Sequence, residues 1–461
     1  MDFKNYLVPG KTGLLIGIGG VSMSPLAEVL HDAGLDIRGS DMAESSNTLT
    51  LRERGIPIHI GHSADNVTDD ISFVIRTAAV HDDNPEVHEA HRRGIPVFER
   101  TQAWGALMRG YQNALCISGT HGKTTTTSMC THIMMAAEKD PTVMIGGTLP
   151  LLKACHRVGK GNTIIMESCE YYNSFLALNP TIAVVLNIEA DHLDFFKDLE
   201  DIKHSFRCFA ERVPAETGTV IANYDDANTM DALRGIARKV ITFGLNAKAD
   251  VYAQNIVHRG SVSEFDIYHR GNYFARVTLH VPGIHNVRNA LAATAAAIVL
   301  GVSPNAVKYG LAGFEGAGRR FDFKGKFQGA DLYDDYAHHP SELRALLDAV
   351  DTLNYQRTIV VFQPHTYSRT AKLFNDFVEQ LRRPTIVYLA EIYAAREKNT
   401  IGISSADLAA QIPGAKFYPT FAEIEAELRR IARPGDIILT VGAGDVFRIG
   451  EHLLYPADNK D

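Results

Sequence analysis

The sequence predicts an α/β protein built from several mainly parallel sheets. Three observations carry this. The chain has 461 residues, too many for one hydrophobic core. Apolar, strand-like runs alternate with helix-spaced segments along most of it. One of those runs, ALCIS, feeds a compressed glycine turn that opens directly into a helix.

Composition narrows the class. The chain is 45% hydrophobic and 22% charged, ordinary for a globular protein. Its net charge of −8 and lack of a basic tail or stripe argue against nucleic acid as a partner. No apolar run is long enough to span a bilayer, and MDFKNYLVPGKTG lacks the apolar core of a signal peptide. Cys116, Cys130, Cys155, Cys169 and Cys208 are odd in number and form no C-x-x-C pair, as expected of reduced thiols in a cytoplasmic enzyme.

Taken in order, the elements fall into three blocks: 1–112, 113–313 and 314–461. The first opens with the strand GLLIGI and a helical segment stopping at Gly34. It continues through IRGSDM, a helix ending near Gly55, and ISFVIRTAAV. The second begins with ALCIS, then a helix through SMCTHIMMAAEK, then NTIIMES and TIAVVLNI, two continuous apolar runs of the kind found in central parallel strands. A hairpin is expected around Arg270-Gly271-Asn272, and an alanine-rich helix closes at Gly301. The third block holds RTIVVFQPH, PTIVYLAEIY and DIILTVGAG, three strands with loops at their carboxyl ends.

The turn GTHGKTTTT, Gly119 to Thr127, carries the chemistry. The common phosphate loop has four residues between its first glycine and its Gly-Lys pair. Here Thr120 and His121 alone separate Gly119 from Gly122. Between strand and helix, such a loop aims backbone N–H groups at a phosphate, with the helix N-terminus adding partial positive charge. Lys123 is placed to reach terminal phosphates, and Thr124 or Thr125 offers a hydroxyl to Mg²⁺. A plain strand–helix turn with a solvated lysine explains the glycines less well, because the β-branched run from Thr124 to Thr127 is poor helix material. Glu167 ends NTIIMES, and Asp191 and His192 follow TIAVVLNI. Ligands bind outside the carboxyl ends of strands in such sheets. Glu167 and His192 are therefore expected to converge on the loop as metal-ligand candidates.

GTHGKTTTT, ESCEYYNSFL and NIEADHLD resemble the Mur ligase family, which joins amino acids to carboxylates using ATP. PGIHNVRNALAA, GRRFD, DDYAHHP and FQPHTYSRT match further family blocks in order, so the resemblance covers the whole chain. It implies three domains: a Rossmann-like UDP-binding domain, a central ATPase domain with a parallel sheet, and a C-terminal Rossmann-like domain. His121, where most sister enzymes carry asparagine, points to the branch that adds L-alanine to UDP-N-acetylmuramate, through an acyl phosphate.

The resemblance also implies roles. Gly119, Thr120, His121, Gly122, Lys123, Thr124 and Thr125 would hold the ATP phosphates, with Lys123, Glu167 and His192 the catalytic set. Thr124 (or Thr125), Glu167 and His192 would ligate Mg²⁺. Asn286 would lie near the adenine, Arg319 and Arg320 would contact the nucleotide, and Asp335 would reach the ribose or orient Arg319. His338, His339, His365 and Arg369 would receive the amino acid or the product carboxylate, with His338 or His339 as general base. Plainer readings exist: Asn286 as a helix cap, the arginines as solvated charges, the histidines as turn residues. FQPHTYSRT places Thr366 where many members carry arginine. Sister ligases use a carbamylated lysine near the metals; Lys197 and Lys203 lie nearby, and the sequence assigns none.

In the first block, GIGGVSMS is a partial dinucleotide fingerprint, with Asp41 about twenty residues on and Ser22 where the third glycine would stand. The family implies a UDP-sugar here instead: Gly17, Gly19 and Gly20 facing the diphosphate, Ser40 and Asp41 near the uridine, and Thr77 or His81 near the sugar. Two rival functions compete. A nicotinamide dehydrogenase leaves GTHGKTTTT and NIEADHLD unexplained, and a nucleotide switch has no need of the histidine-rich third block. Within the ligases, a murein-peptide recycling enzyme is the nearest alternative. A monomer or dimer without membrane insertion is expected.

Overall fold

The computed structural model describes residues 2–77, 79–395 and 397–455. Three sheets organise the chain. The contacts divide it into two compact units, residues 1–252 with 291–310, and 253–290 with 311–461. Among the described residues, no helix is long and apolar enough to cross a membrane.

The first unit begins with a five-stranded parallel sheet. Its strands are β1 (Thr12–Ile16), β2 (Asp36–Asp41), β3 (Ile58–Ile60), β4 (Ile71–Arg76) and β5 (Val97–Glu99), in the order β3-β2-β1-β4-β5. β1 is buried along its whole length, as a central strand covered on both faces must be. Helices α1 (Ser24–Asp32), α2 (Ser46–Glu53), α3 (Pro85–Arg92) and α4 (Arg100–Met108) connect or follow the strands. Asn84 caps α3, and Ser45 caps α2 in a capping box with Thr48.

The unit's second sheet is built on β6 (Asn113–Ser118), β7 (Thr142–Leu149), β8 (Ala154–Arg157), β9 (Thr163–Glu167), β10 (Ile182–Val185), β11 (Thr219–Asn223) and β12 (Lys239–Gly244). They run β12-β11-β10-β6-β9-β7-β8, parallel except for the β7–β8 hairpin. Crossover connections place β9 and β10 on either side of β6. The loops after β6, β9 and β10 therefore meet at one carboxyl edge. Helix α5 (Lys123–Ala136) leaves the first of them; α6 (Leu199–Glu211) and α7 (Ala227–Ala232) follow.

In the second unit, β14 (Val262–His269) follows β13 (Val251–Arg259) and pairs antiparallel with β15 (Asn272–Leu279). Arg270 and Gly271 turn the hairpin with φ of 50° and 80°. α8 (Ile284–Val299) and α9 (Pro304–Ala312) come next in the chain, and most of both, residues 291–310, belongs to the first unit. The third sheet has the order β16-β17-β21-β18-β19-β20, from β16 (Asp322–Phe327), β17 (Ala330–Asp335), β18 (Arg357–Phe362), β19 (Ile386–Leu389), β20 (Lys416–Phe417) and β21 (Asp436–Val441). β21 is fully buried between β17 and β18. The helices α10 (Pro340–Asp351) and α11 (Tyr367–Lys372) leave the carboxyl ends of β17 and β18.

Candidate functional site

The phosphate-loop candidate sits at the carboxyl edge of β6. Gly119 has φ 146°, and a Cβ there would lie 2.8 Å from the Leu186 side chain and 3.2 Å from the Asn187 backbone nitrogen. Glycine is required by both the conformation and the space. Asn187, just past β10, holds the loop: its Oδ1 accepts from the His121 N–H at 2.8 Å, and its Nδ2 donates to the His121 carbonyl at 3.1 Å. The Thr120 hydroxyl accepts from the Glu189 N–H at 2.9 Å. The His121 ring lies 3.4 Å from Glu189. Gly122, with φ 83°, caps α5, so Lys123, Thr124 and Thr125 form its first turn.

Lys123 is held from three sides. Its ammonium donates to the carbonyls of Gly119 at 2.5 Å and Thr120 at 3.1 Å, and to the Glu170 carboxylate at 3.0 Å. Burial opposes the charge, but Glu170 chiefly, with Glu167 adding, drives the lysine pKa above its ordinary value, so the ammonium persists. Glu170 is almost fully buried and was not singled out from the sequence. It sits three residues beyond Glu167, on a segment that kinks through Tyr172 and Asn173 at φ 53° and 56°. No spacing rule carries that geometry.

Thr124 donates to Glu167 Oε1 at 3.0 Å, and Glu167 Oε2 accepts from the Gly146 N–H at 2.6 Å. Of the two threonines left open by the sequence, Thr124 faces the acidic residue; Thr125 is buried within the helix. His192 has φ 52°, stacks on Tyr171 with ring centroids 4.3 Å apart, and reaches within 3.8 Å of Glu170 and 3.7 Å of Asp191. The structure thus gathers Lys123, Thr124, Glu167 and His192 around Glu170. Lys203 is bound to Glu200 at 2.7 Å and Asp231 at 3.1 Å, and the Lys197 backbone N–H donates to Asp201.

In the first sheet, the loop after β1 holds Gly17, Gly19 and Gly20. A Cβ on Gly17 would meet Thr77 at 2.9 Å, which places Thr77 over the loop. Asp41 accepts from the Gly19 N–H at 2.8 Å, and a Cβ on Gly20 would approach the Gly17 carbonyl to 3.2 Å. Ser40 is fully buried, its hydroxyl bonded to Glu86 at 2.8 Å and 3.2 Å from His62.

In the second unit, Asn286 is not a helix cap. It lies inside α8, buried, with Nδ2 on the Pro282 carbonyl at 2.7 Å and Oδ1 accepting from Asn289. Arg319 binds Asp334 at 2.8 Å, and its other nitrogens donate to the Gly444 and Gly442 carbonyls at 3.0 and 2.7 Å. The residue that orients Arg319 is therefore Asp334, not Asp335. The reason is strand alternation: neighbouring side chains leave β17 on opposite faces. Asp335 instead accepts from the Phe321 and Ala337 N–H groups, and burial lifts its pKa to about 6 despite Arg320. Arg320 is 3.7 Å from Glu342.

The four residues expected at the amino-acid end divide. His339 caps α10, accepting from the Ser341 N–H at 3.3 Å, and is buried. His338, His365 and Arg369 come together: the two histidine rings are 5.7 Å apart, and Arg369 lies 3.2 Å from His365 Nδ1. Tyr393, which no sequence motif marks, stacks on His365 at 5.6 Å. Thr366 turns into α11 at φ 67°.

Comparisons with known proteins agree with this layout. Three family models match in order: "Mur ligase family, catalytic domain" over residues 15–112, "Mur ligase middle domain" over 117–297, and "Mur ligase, glutamate ligase domain" over 319–444. A UDP-N-acetylmuramate–L-alanine ligase of Agathobacter rectalis is 46% identical, covering 95% of this chain and 96% of the relative. One of Clostridium novyi is 44% identical, covering 98% and 99%. The crystal structure of UDP-N-acetylmuramate-alanine ligase from Thermotoga maritima superposes with a TM-score of 0.79 at 28% identity, covering 96% of this chain and 98% of that one. A murein peptide ligase from Psychrobacter arcticus shares the fold, with a TM-score of 0.70 at 22% identity and the same coverage. With its three blocks matched in order and its loop built on the compressed glycine pattern, this chain belongs to the Mur ligase family.

Proposed function

We propose that this protein is an ATP-dependent ligase that joins L-alanine to the lactyl carboxylate of UDP-N-acetylmuramate, releasing ADP and phosphate. The single observation that carries the reading is the convergence of the 119–124 loop, Glu167, Glu170 and His192 at one sheet edge. Identity above 40% to the L-alanine-adding relatives over nearly the whole chain supports the choice of substrates.

The chemistry asks two things of the site. A carboxylate oxygen must attack the γ-phosphorus while the β–γ oxygen bond breaks toward ADP. The amine of L-alanine must then attack the acyl carbon and expel phosphate. The first step gathers negative charge, which the persistent Lys123 ammonium and the amides of the 119–124 loop are placed to neutralise. To do so, Lys123 exchanges its contacts with the Gly119 and Thr120 carbonyls for phosphate oxygens, while Glu170 keeps it charged and aimed.

The donor set at the rim fits Mg²⁺: a hydroxyl and a carboxylate 3.0 Å apart, with an imidazole at the neighbouring strand end. Thr124, Glu167 and His192 are the residues that would hold it. Bound there, Mg²⁺ would supply charge neutralisation at the β- and γ-phosphate oxygens.

For the second step, the alanine ammonium must lose a proton. His338 is the better of the two candidates, because His339 serves as a helix cap. The Tyr336 carbonyl at 3.0 Å and Glu342 at 3.3 Å both face His338 Nδ1, which favours the proton there. Arg369, beside His365, offers a guanidinium to the amino-acid carboxylate. Thr77 and the loop of Gly17, Gly19 and Gly20 are assigned to the sugar nucleotide, as is Asp41.

The test is phosphate release with ATP and Mg²⁺, supplying UDP-N-acetylmuramate and L-alanine singly and together, with glycine, L-serine and a muropeptide as competing acceptors. The reading requires release that depends on both the sugar nucleotide and L-alanine. Release with neither would make the protein a bare ATPase, and release with UDP-N-acetylmuramate and a peptide but not L-alanine would make it a recycling enzyme.

A further inference from the structure

β8 is the outermost strand on its side of the second sheet, beyond β7. It carries Cys155 and His156 side by side. Cys155 Sγ lies 3.8 Å from His156 Nδ1, and the other ring nitrogen, Nε2, lies 3.3 Å from Glu28 Oε1 on α1. Glu28 is buried, and its second oxygen meets Arg54, just past α2, at 3.3 Å. A thiol thus has a base beside it and an acid behind the base, the order that activates a nucleophile.

The roles follow from the contacts. The carboxylate favours a proton on Nε2 and turns Nδ1 toward the sulfur as acceptor. Moving the thiol proton onto Nδ1 gives a thiolate beside an imidazolium that Glu28 stabilises. Burial disfavours that imidazolium, but Cys155 and Glu28 lift its pKa to about 9. The sulfur's other contact, the Val21 carbonyl at 3.8 Å, accepts a hydrogen bond but cannot take the proton. Cys155 is half-buried, so a small reagent can reach it.

The remaining cysteines are set differently. Burial pushes the thiols of Cys116 and Cys130 up to about 12. Cys169, beside the Lys123 rim, is raised to about 11 by its surroundings and by Glu170. Cys208 meets His204 Nε2 at 3.5 Å, so a neighbouring ring does not by itself mark Cys155. The difference is the acid: Glu200, one turn before His204, is bound to Lys203 at 2.7 Å.

We propose that Cys155 is a site of reversible thiolation by low-molecular-weight disulfides, with His156 carrying the proton and Glu28 positioning the ring. The thiolate attacks one sulfur of the disulfide. The new S–S bond forms as the old one breaks, and the departing thiolate takes the proton from His156 Nδ1. One protein thiol and one disulfide give one mixed disulfide and one free thiol. The adduct stands against Val21, on the loop that carries Gly17, Gly19 and Gly20. It therefore raises KM for the sugar nucleotide, a consequence that rests on the ligase reading above.

The experiment treats the full-length protein with oxidised glutathione and follows adducts at each cysteine by peptide mass, in wild type, E28Q, H156Q and C155S. We expect Cys155 to be modified first in the wild type. At about pH 7, E28Q and H156Q should slow that adduct about threefold or more, because the thiolate they forfeit is only partly offset by its lower nucleophilicity. Near about pH 9.5 the gap should close, since an ordinary thiol ionises there unaided. An unchanged Cys208 rate reports an intact fold, and H156Q carries the test if E28Q does not fold. First modification of another cysteine overturns the proposal. So do unchanged Cys155 rates in both variants, or a gap that persists at high pH, which would make Glu28 and His156 determinants of access alone. Glutathionylated wild type should show a raised KM for UDP-N-acetylmuramate that dithiothreitol reverses and that C155S never develops; an unmoved KM overturns the tie to the loop. A wild type that is modified as expected but turns over no sugar nucleotide would instead sink the ligase reading and leave the thiol assignment standing.

Discussion

At the scale of single residues, the account turns on Lys123 and the buried carboxylate beside it. Lys123→Ala should lower the rate of phosphate release by about 10²-fold or more, the cost of removing one donor aimed at developing charge, with the fold retained by circular dichroism. Glu170→Gln should do two things, because it strips the counter-charge from a buried ammonium. It should lower stability by about 3 kcal/mol, read by denaturant unfolding, and it should depress turnover with it. A variant of unchanged stability and rate would remove Glu170 from the site. The sequence made Lys123, Thr124, Glu167 and His192 legible, because each sits at a strand end or first helical turn. Glu170 and Tyr393 were not legible: one depends on a left-handed kink, the other on a ring stack across loops. The Asp334/Asp335 correction is the same lesson, since adjacent strand residues with one chemistry differ only in which face they leave.

At the scale of elements, the compressed loop is held by its neighbour strand rather than by itself. Asn187 clamps both the N–H and the carbonyl of His121. Asn187→Ala removes two hydrogen bonds worth about 1 kcal/mol each and should raise KM for ATP several-fold more than it lowers kcat. If KM for ATP does not move, the clamp is irrelevant to the nucleotide. The strands themselves were readable from apolar runs such as TIAVVLNI, whose Ile182–Val185 form the wholly buried β10, and the Arg270–Asn272 hairpin from its turn residues. Sheet order was not readable. That β6 lies between β9 and β10 follows from crossover packing, and it is this order that brings the three loops together.

At the scale of the molecule, three blocks of alternating strands and helices were visible in the pattern, and three sheets are found. The tie between the first two sheets was not visible. His156 on β8 lies 3.3 Å from Glu28 on α1, which Arg54 also meets at 3.3 Å. Burial works against the imidazolium, yet Cys155 and Glu28 outweigh it and lift the pKa to about 9. The folded value exceeds the unfolded one, so the stabilisation is complete below about pH 6.5 and is lost as pH rises through 9. The loss is on the order of 2 kcal/mol, measurable as a fall in unfolding midpoint between pH 7 and about 9.5 that Glu28→Gln should flatten. The same slope in both proteins would contradict the tie. The central claim is tested most directly by the fate of oxygen. With the lactyl carboxylate of UDP-N-acetylmuramate labelled with ¹⁸O, turnover with ATP and L-alanine should place one label in the released phosphate, because the carboxylate oxygen attacks phosphorus and leaves with it. Unlabelled phosphate, with product formed, would contradict the acyl-phosphate route and the placement of Lys123 that rests on it.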